Sequence, residues 1–157
     1  MVTKLIARLL VGLLALLVSS ALIAKRRLPV RDEPNAPEIA LVSIFDGSSL
    51  RPSGEDFRGG SIYSVFGGTN LDLRRAELAP GGGHLELTTV YGGTDITVPD
   101  TWMVTVAGPT IAAARQVSVT DPAALTPDAP HLVISALTLF GALSVTARPV
   151  LRPAGSS

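Results

Sequence analysis

Two kinds of hydrophobic pattern divide the chain. Residues 9–24 carry no charge, and extending this run back to Leu5 gives twenty residues, or about 30 Å as a helix, which matches a bilayer core. After residue 38, short segments rich in Val, Ile and Thr alternate between apolar and polar positions, which is typical of strands. The pattern predicts one N-terminal transmembrane helix followed by an all-β domain.

A repeated motif, an aromatic residue followed by two glycines, separates the strand-like segments. Two clear copies are Phe66-Gly67-Gly68 and Tyr91-Gly92-Gly93. Weaker copies are Phe45-Asp46-Gly47, Ala107-Gly108 and Phe140-Gly141-Ala142. Their separations of 21, 25, 16 and 33 residues place a missing copy near Asp121-Pro122-Ala123. Since units this short cannot each bury a core, they are expected to stack on one another.

Stacking the copies on one another predicts a β-solenoid whose interior is filled by columns of aliphatic side chains. The expected columns lie one and three residues before each turn (Ile44 and Val42, Val65 and Tyr63, Val90 and Thr88, Val106 and Val104, Leu139 and Leu137) and five and seven after it (Leu71 and Leu73, Ile96 and Val98). The alternative is a small β-sandwich in which each glycine pair closes an antiparallel hairpin. Residues 110–116 are expected to be strand or irregular, being too short for a stable helix.

Composition and charge suggest how the chain is organised around the membrane. We predict a transmembrane helix with basic flanks over residues 1–27, a Pro-rich linker over 28–37, the β domain over 38–149 and a disordered tail over 150–157. The basic cluster Lys25-Arg26-Arg27 follows the helix, so the positive-inside rule places the β domain in the cytoplasm. The alternative is a secretory signal cleaved near Ser19-Ser20-Ala21.

The charge of the rest of the chain argues against nucleic acid as a partner. Residues 32–157 hold seven basic and thirteen acidic side chains, so this part is acidic and lacks the basic face that phosphate binding needs. The chain also has no cysteine, which excludes disulfides, thiolate metal sites and a lipidated cysteine anchor.

Candidate catalytic groups are few. His84 and His131 are 47 residues apart, without a carboxylate at ligand spacing, and are expected to be exposed loop histidines. A partial match to a calcium-binding nonapeptide at Asp72 and Asp95 is better explained by outward-facing acids on strands. No catalytic, cofactor or metal residue is therefore predicted, and the chain is expected not to be an enzyme.

Three other positions have a structural and a functional interpretation. Arg74-Arg75 is expected to pair with the flanking Asp72 and Glu77, although it could offer a basic contact to an acidic partner. Trp102, the sole tryptophan, is expected to pack beside a strand opened by Pro99 rather than to anchor an interface.

Part of the sequence resembles the C-terminal domain of LiaF-type cell-wall-active-antibiotic response proteins. The resemblance lies in the two glycine turns, in the segment Leu71-Asp72-Leu73-Arg74-Arg75-Ala76-Glu77-Leu78 and in the segment Val98-Pro99-Asp100-Thr101-Trp102-Met103-Val104. The resemblance covers about residues 45–108. It implies a membrane-tethered β-rich domain on the cytoplasmic face, which acts by protein contact in envelope-stress signalling and typically restrains a sensor kinase. Proteins of this type usually carry several membrane helices, whereas one is predicted here.

The sequence therefore favours a membrane-anchored regulatory or adaptor protein, with the lipid bilayer and a membrane protein such as a sensor kinase as partners. It leaves open that the chain forms a homo-oligomer. One alternative is a structural scaffold that polymerises, in the manner of bactofilins, through end strands at residues 38–42 and 145–150. Prolines near residue 150 argue against such open stacking. A further alternative is an exported adhesive domain.

Overall fold

The computed structural model describes residues 36–44 and 47–150. Eight strands and one short 3-10 helix make up the regular structure, so the predicted all-β class is confirmed. The strands are β1 Glu38–Ile44, β2 Gly47–Leu50, β3 Gly59–Val65, β4 Gly67–Asp72, β5 Gly83–Pro99, β6 Met103–Ala107, β7 Ala113–Ser118 and β8 His131–Arg148; the 3-10 helix is Pro122–Ala124.

All pairings between these strands are parallel. None of the described pairings is the antiparallel hairpin that the sandwich alternative requires. The chain makes five similar passes, each consisting of a strand, a corner and a second strand in a new direction. On one side of the corners the strands lie in the order β1-β3-β5-β8-β6, and on the other side in the order β2-β4-β5-β8-β7.

The passes do not stack in the order in which the chain makes them. The fifth pass, which is the long strand β8, lies between the third pass, β5, and the fourth, formed by β6 and β7. The pairing of β5 with β8 runs through the corner, with Tyr91 opposite Phe140 and Gly92 opposite Gly141. The two passes with a continuous aromatic-glycine corner are therefore direct neighbours, and the divergent fourth pass lies at the end.

The interior columns agree with the prediction after the corner. Before the corner they differ from it in β1, β3, β5 and β8, whereas Val104 and Val106 of β6 pack against the main core, as predicted. Leu71, Leu73, Ile96 and Val98 are buried in the main core, as predicted. Before the corner, the inward positions are two, four and six residues ahead of the aromatic, as the buried Leu41, Ile62 and Leu87 show.

The positions one and three residues ahead therefore point outward, because successive side chains of a strand face opposite sides of the sheet. Val42, Tyr63, Thr88, Leu137 and Leu139 are only partly buried there. Val65 and Val90 are buried on that outer face in a second, smaller cluster.

The connections between passes close the remaining side of the core. Phe57 is fully buried, forms an isolated parallel bridge with Leu78 and donates its backbone N–H to the Glu77 carbonyl at 2.9 Å. Trp102 is also buried in the core, as expected. Pro99 is the last residue of β5 and does not open a strand.

Two predicted corners lie elsewhere. Ala107 is opposite Ser135 and not opposite Phe140, the aromatic of β8. Because Ala113 is opposite Gly141, the residue beside Phe140 in the fourth pass is Ala112. Residues 121–123 form no corner. Asp121 caps the 3-10 helix, accepting a 2.9 Å hydrogen bond from the Ala123 N–H.

Several predictions concern residues outside the described part of the chain. They include the transmembrane segment with Lys25, Arg26 and Arg27, most of the linker, most of the tail, and the turn residues Phe45 and Asp46. Within residues 36–44 and 47–150, no helix has the length and apolar character needed to cross a bilayer.

Candidate interaction surface

The aromatic residues of the corner motif stack into a ladder along the outside of the domain. The rings of Phe66 and Tyr91 lie 4.9 Å apart and 2° from parallel, and those of Tyr91 and Phe140 lie 4.8 Å apart and 12° from parallel. These spacings equal the separation of neighbouring strands, so the parallel register itself brings the rings together. Tyr91 and Phe140 remain exposed at 39% and 42%.

The first glycine of the motif is required by the close approach of neighbouring passes. Gly92 and Gly141 have φ of 139° and 143°, in the region that disfavours side chains. A Cβ on Gly92 would lie 1.8 Å from the Gly67 carbonyl oxygen, and a Cβ on Gly141 would lie 1.7 Å from that of Gly92.

The second glycine is not under this constraint. A Cβ on Gly93 would meet nothing within 4 Å, and its neighbour on β8 is Ala142. In the second and fourth passes the left-handed residue is instead the one at the aromatic position, since Phe66 has φ of 56° and Ala112 has φ of 50°.

The inner side of the corner carries hydroxyl groups, which the sequence did not lead us to expect. Buried hydroxyl residues lie two positions before the aromatic (Ser43, Ser64, Thr89 and Thr138) and three positions after it (Thr69 and Thr94), whereas the fifth pass has the buried Leu143 at this last position. In the third pass the hydroxyls of Thr89 and Thr94 form a 2.8 Å hydrogen bond across the corner. In the second pass, the equivalent hydroxyls of Ser64 and Thr69 have no hydrogen-bond partner.

A signal for this column was present in the motif. Each copy begins with Ser or Thr two positions ahead of the aromatic, and Thr110-Ile111-Ala112 shows the same spacing. The position two before the aromatic carries a small side chain in every copy, and a hydroxyl there can bond to a hydroxyl three positions after the aromatic. The same signal would have placed the fourth corner at Ala112.

The corner forms a ridge without charge on a domain that is otherwise acidic. We define the corner ridge as Phe66, Tyr91 and Phe140 together with the residues flanking them, 63–71, 88–94 and 137–147, which contain no charged side chain. Beneath the ladder, Val65 and Val90 pack with Tyr63, Phe66 and Leu139. The ridge is therefore apolar and supported by buried side chains.

A shallow groove lies beside the ladder over the glycine positions. Ser49, Gly68, Asn70, Gly93 and Asp95 line it. Because Phe66 and Phe140 cover the two faces of Tyr91, the middle ring of the ladder presents its edge to solvent. The ridge with its groove suits contact with an apolar or weakly polar protein surface more than stacking of a planar ligand.

Asp72 and Arg74 form a local ion pair at the end of β4, as predicted for this basic segment. Arg74 donates from Nη2 to Asp72 Oδ2 at 2.7 Å and from Nε to Asp72 Oδ1 at 2.9 Å. The hydrogen bonds from Arg74 lower the pKa of the Asp72 carboxyl, against the opposing effect of its burial. Asp72 is opposite Thr97 and not opposite Asp95, so the two acids of the calcium-like match do not share a register position.

The two histidines are exposed, as predicted, but both lie in strands. His84 is the second residue of β5 and His131 the first of β8, where its Nε2 lies 2.9 Å from the Thr105 hydroxyl. In the part of the chain that the structure describes, no three His, Asp or Glu side chains are grouped so as to hold a metal ion.

Comparisons with known proteins identify no relative. No family model, curated protein or solved structure matches the chain. The resemblance to LiaF-type proteins therefore stays a prediction.

Proposed function

We propose that the five passes form a β-solenoid and that this domain serves as a membrane-anchored, non-enzymatic adaptor in the cell-envelope stress response. The solenoid proposal is supported by the uniformly parallel register and by the repeated corners. It includes one exchange of order, because the fifth pass is inserted between the third and the fourth.

The observation that carries the adaptor proposal is the corner ridge. Exposed aromatic side chains held on paired strands lose little conformational entropy on binding, which suits them to anchor a protein interface. The ridge has no charge to desolvate, whereas acidic side chains elsewhere on the domain would disfavour non-specific contact with anionic lipid. A protein surface is thus a better partner than the bilayer itself.

The predicted anchor limits where that partner can lie. Residues 28–37 contain three prolines and, if extended, reach roughly 30 Å at ~3.1 Å per residue. The ridge would then be presented close to the inner leaflet, within reach of the cytoplasmic part of a membrane protein such as a sensor kinase. The LiaF-like resemblance points to the same class of partner.

The structure argues against a scaffold that polymerises through an end strand at residues 145–150. Val145 and Thr146 lie between β5 and β7, so this part of β8 is not an end strand. The exported adhesive alternative depends on cleavage of the N-terminal segment, and the mass of the mature protein distinguishes it from the anchored adaptor.

Complementation of a deletion strain tests the adaptor proposal. Cells lacking the gene would be challenged with a lipid-cycle antibiotic, and a stress reporter read with wild-type protein, with Tyr91→Thr/Phe140→Thr, or with the control Arg75→Gln/Glu77→Gln. We expect the ridge variant to behave as the deletion and the control as wild type, at equal protein levels. A normal reporter response in the ridge variant, or in the deletion itself, would refute the proposal.

A further inference from the structure

The two ends of the stack of passes differ in how well their interior is covered. Leu50 and Val117 occupy the same interior column, one in the first pass and the other in the fourth. Leu50 is 7% exposed, whereas Val117 is 42% exposed. Ile39, also in the first pass, is 2% exposed, so the core is covered at that end and open at the other.

The open end also presents unpaired backbone. Among the described residues, β6 and β7 pair with β8 on one side and with no strand on the other, as β1 and β2 do at the covered end, where each pairs on one side only. Natural proteins usually protect such an edge with charged side chains. Here residues 101–120 contain one charged side chain, Arg115, and its Nη2 is held by the Gly108 carbonyl oxygen of the same pass at 2.6 Å.

We propose that this open end, formed by β6, β7 and the exposed Ile111, pairs with the same end of a second copy of the chain. A two-fold axis would set each edge strand antiparallel to its own copy and bring the uncovered interior columns into contact. Such a match needs no complementary charge, and the nearly uncharged edge creates no like-charge repulsion against itself. Because the core at the first pass is covered, association stops at a dimer and does not continue into a filament.

The size of the surface indicates a weak dimer. Strands of five and six residues give about 36 Å of edge at ~3.3 Å per residue, and a width of ~10 Å makes the contact on the order of 400 Å² per copy. Stable interfaces bury about 800 Å² per partner, so the dimer would depend on a high local concentration. This inference rests here on the proposed function, in which a shared membrane anchor would supply such a concentration.

Cysteine cross-linking of the full chain tests the proposal, because the natural sequence has no cysteine. Gln116 and Ser49 are matched positions: both are exposed and lie in the same outward column at opposite ends of the stack. The purified full chain, reconstituted into lipid vesicles so that its copies share one membrane, would be treated with a flexible bismaleimide. We expect Gln116→Cys to give several-fold more covalent dimer than Ser49→Cys.

A charge placed on the edge provides the second measurement. Adding Val117→Lys or Ala114→Arg to Gln116→Cys is expected to reduce the dimer to the level of Ser49→Cys. Both side chains are exposed, so the melting temperature should not change and loss of the dimer would not reflect unfolding. Equal cross-linking from the two cysteine positions, absence of dimer from Gln116→Cys, or dimer that survives both edge charges would overturn the proposal.

Discussion

The corner glycines provide the sharpest test of the stacked arrangement, and Gly92→Ala is the decisive substitution. The new Cβ would lie 1.8 Å from the Gly67 carbonyl oxygen, so the two passes would have to separate until this distance reached at least 3.0 Å. The residue would also keep a φ near 139°, which costs of order 1–3 kcal/mol for a residue with a side chain. Overpacking adds about 1–3 kcal/mol. We therefore expect a loss of roughly 3 kcal/mol or more.

Thermal unfolding of the full chain, followed by circular dichroism, measures this loss. For a domain of this size, 3 kcal/mol corresponds to a fall in Tm of more than about 10 °C. Gly93→Ala is the matched control. Its Cβ would meet nothing within 4 Å, and alanine already stands at the neighbouring position 142, so Tm should change by no more than a few degrees. If the two variants melted alike, the proposed contact between passes at the corner would be wrong.

Three further predictions concern other parts of the corner and its surroundings. Thr94→Val should cost about 1–3 kcal/mol in unfolding free energy, because it leaves the buried hydroxyl of Thr89 unpaired. Thr69→Val should be neutral or stabilising, since the Thr69 hydroxyl has no partner. Chemical denaturation compares the two variants. Arg74→Gln should lower Tm above pH 3.8, where the depressed pKa of Asp72 favours folding. The difference in Tm between the wild type and the variant should shrink as the pH falls below that value. Equal differences at pH 6 and pH 3 would contradict a stabilising ion pair between Asp72 and Arg74. Ala112→Phe should extend the aromatic ladder by one ring and raise the free energy of unfolding by about 0.5–1 kcal/mol. The backbone of Ala112 has φ of 50°, and Phe66 in the ladder already adopts φ of 56°. An unchanged or lower Tm would count against the register of β7 with β8.

Much of the fold could be read from local patterns. Alternating Val, Ile and Thr predicted strands, and the repeated aromatic-glycine motif predicted that its copies lie side by side. The structure shows this directly, with Phe66, Tyr91 and Phe140 stacked in register. The sequence also predicted the inward columns after the corner, because the glycines set a constant distance to Leu71 and Ile96.

The inward columns before the corner were predicted one residue out of register in β1, β3, β5 and β8, whereas Val104 and Val106 of β6 were predicted correctly. Val65 and Val90 are more hydrophobic than Ser64 and Thr89, so the pattern favoured the wrong face of the strand. The space inside the corner is occupied by small side chains two positions before the aromatic, and that space is a property of the assembled passes. The hydrophobic pattern of a single strand carries no information about that space.

The sequence by itself determined the strands, the corner motif and the absence of charge along the ridge, since each depends on residues close together in the chain. The order of the passes, the open end at β6 and β7 and the unequal burial of Leu50 and Val117 were decided only by tertiary structure. The physical reason is that parallel pairing is possible between any two passes of matching register. Which passes become neighbours depends on how well whole strands fit along their length, as β5 and β8 do through the corner.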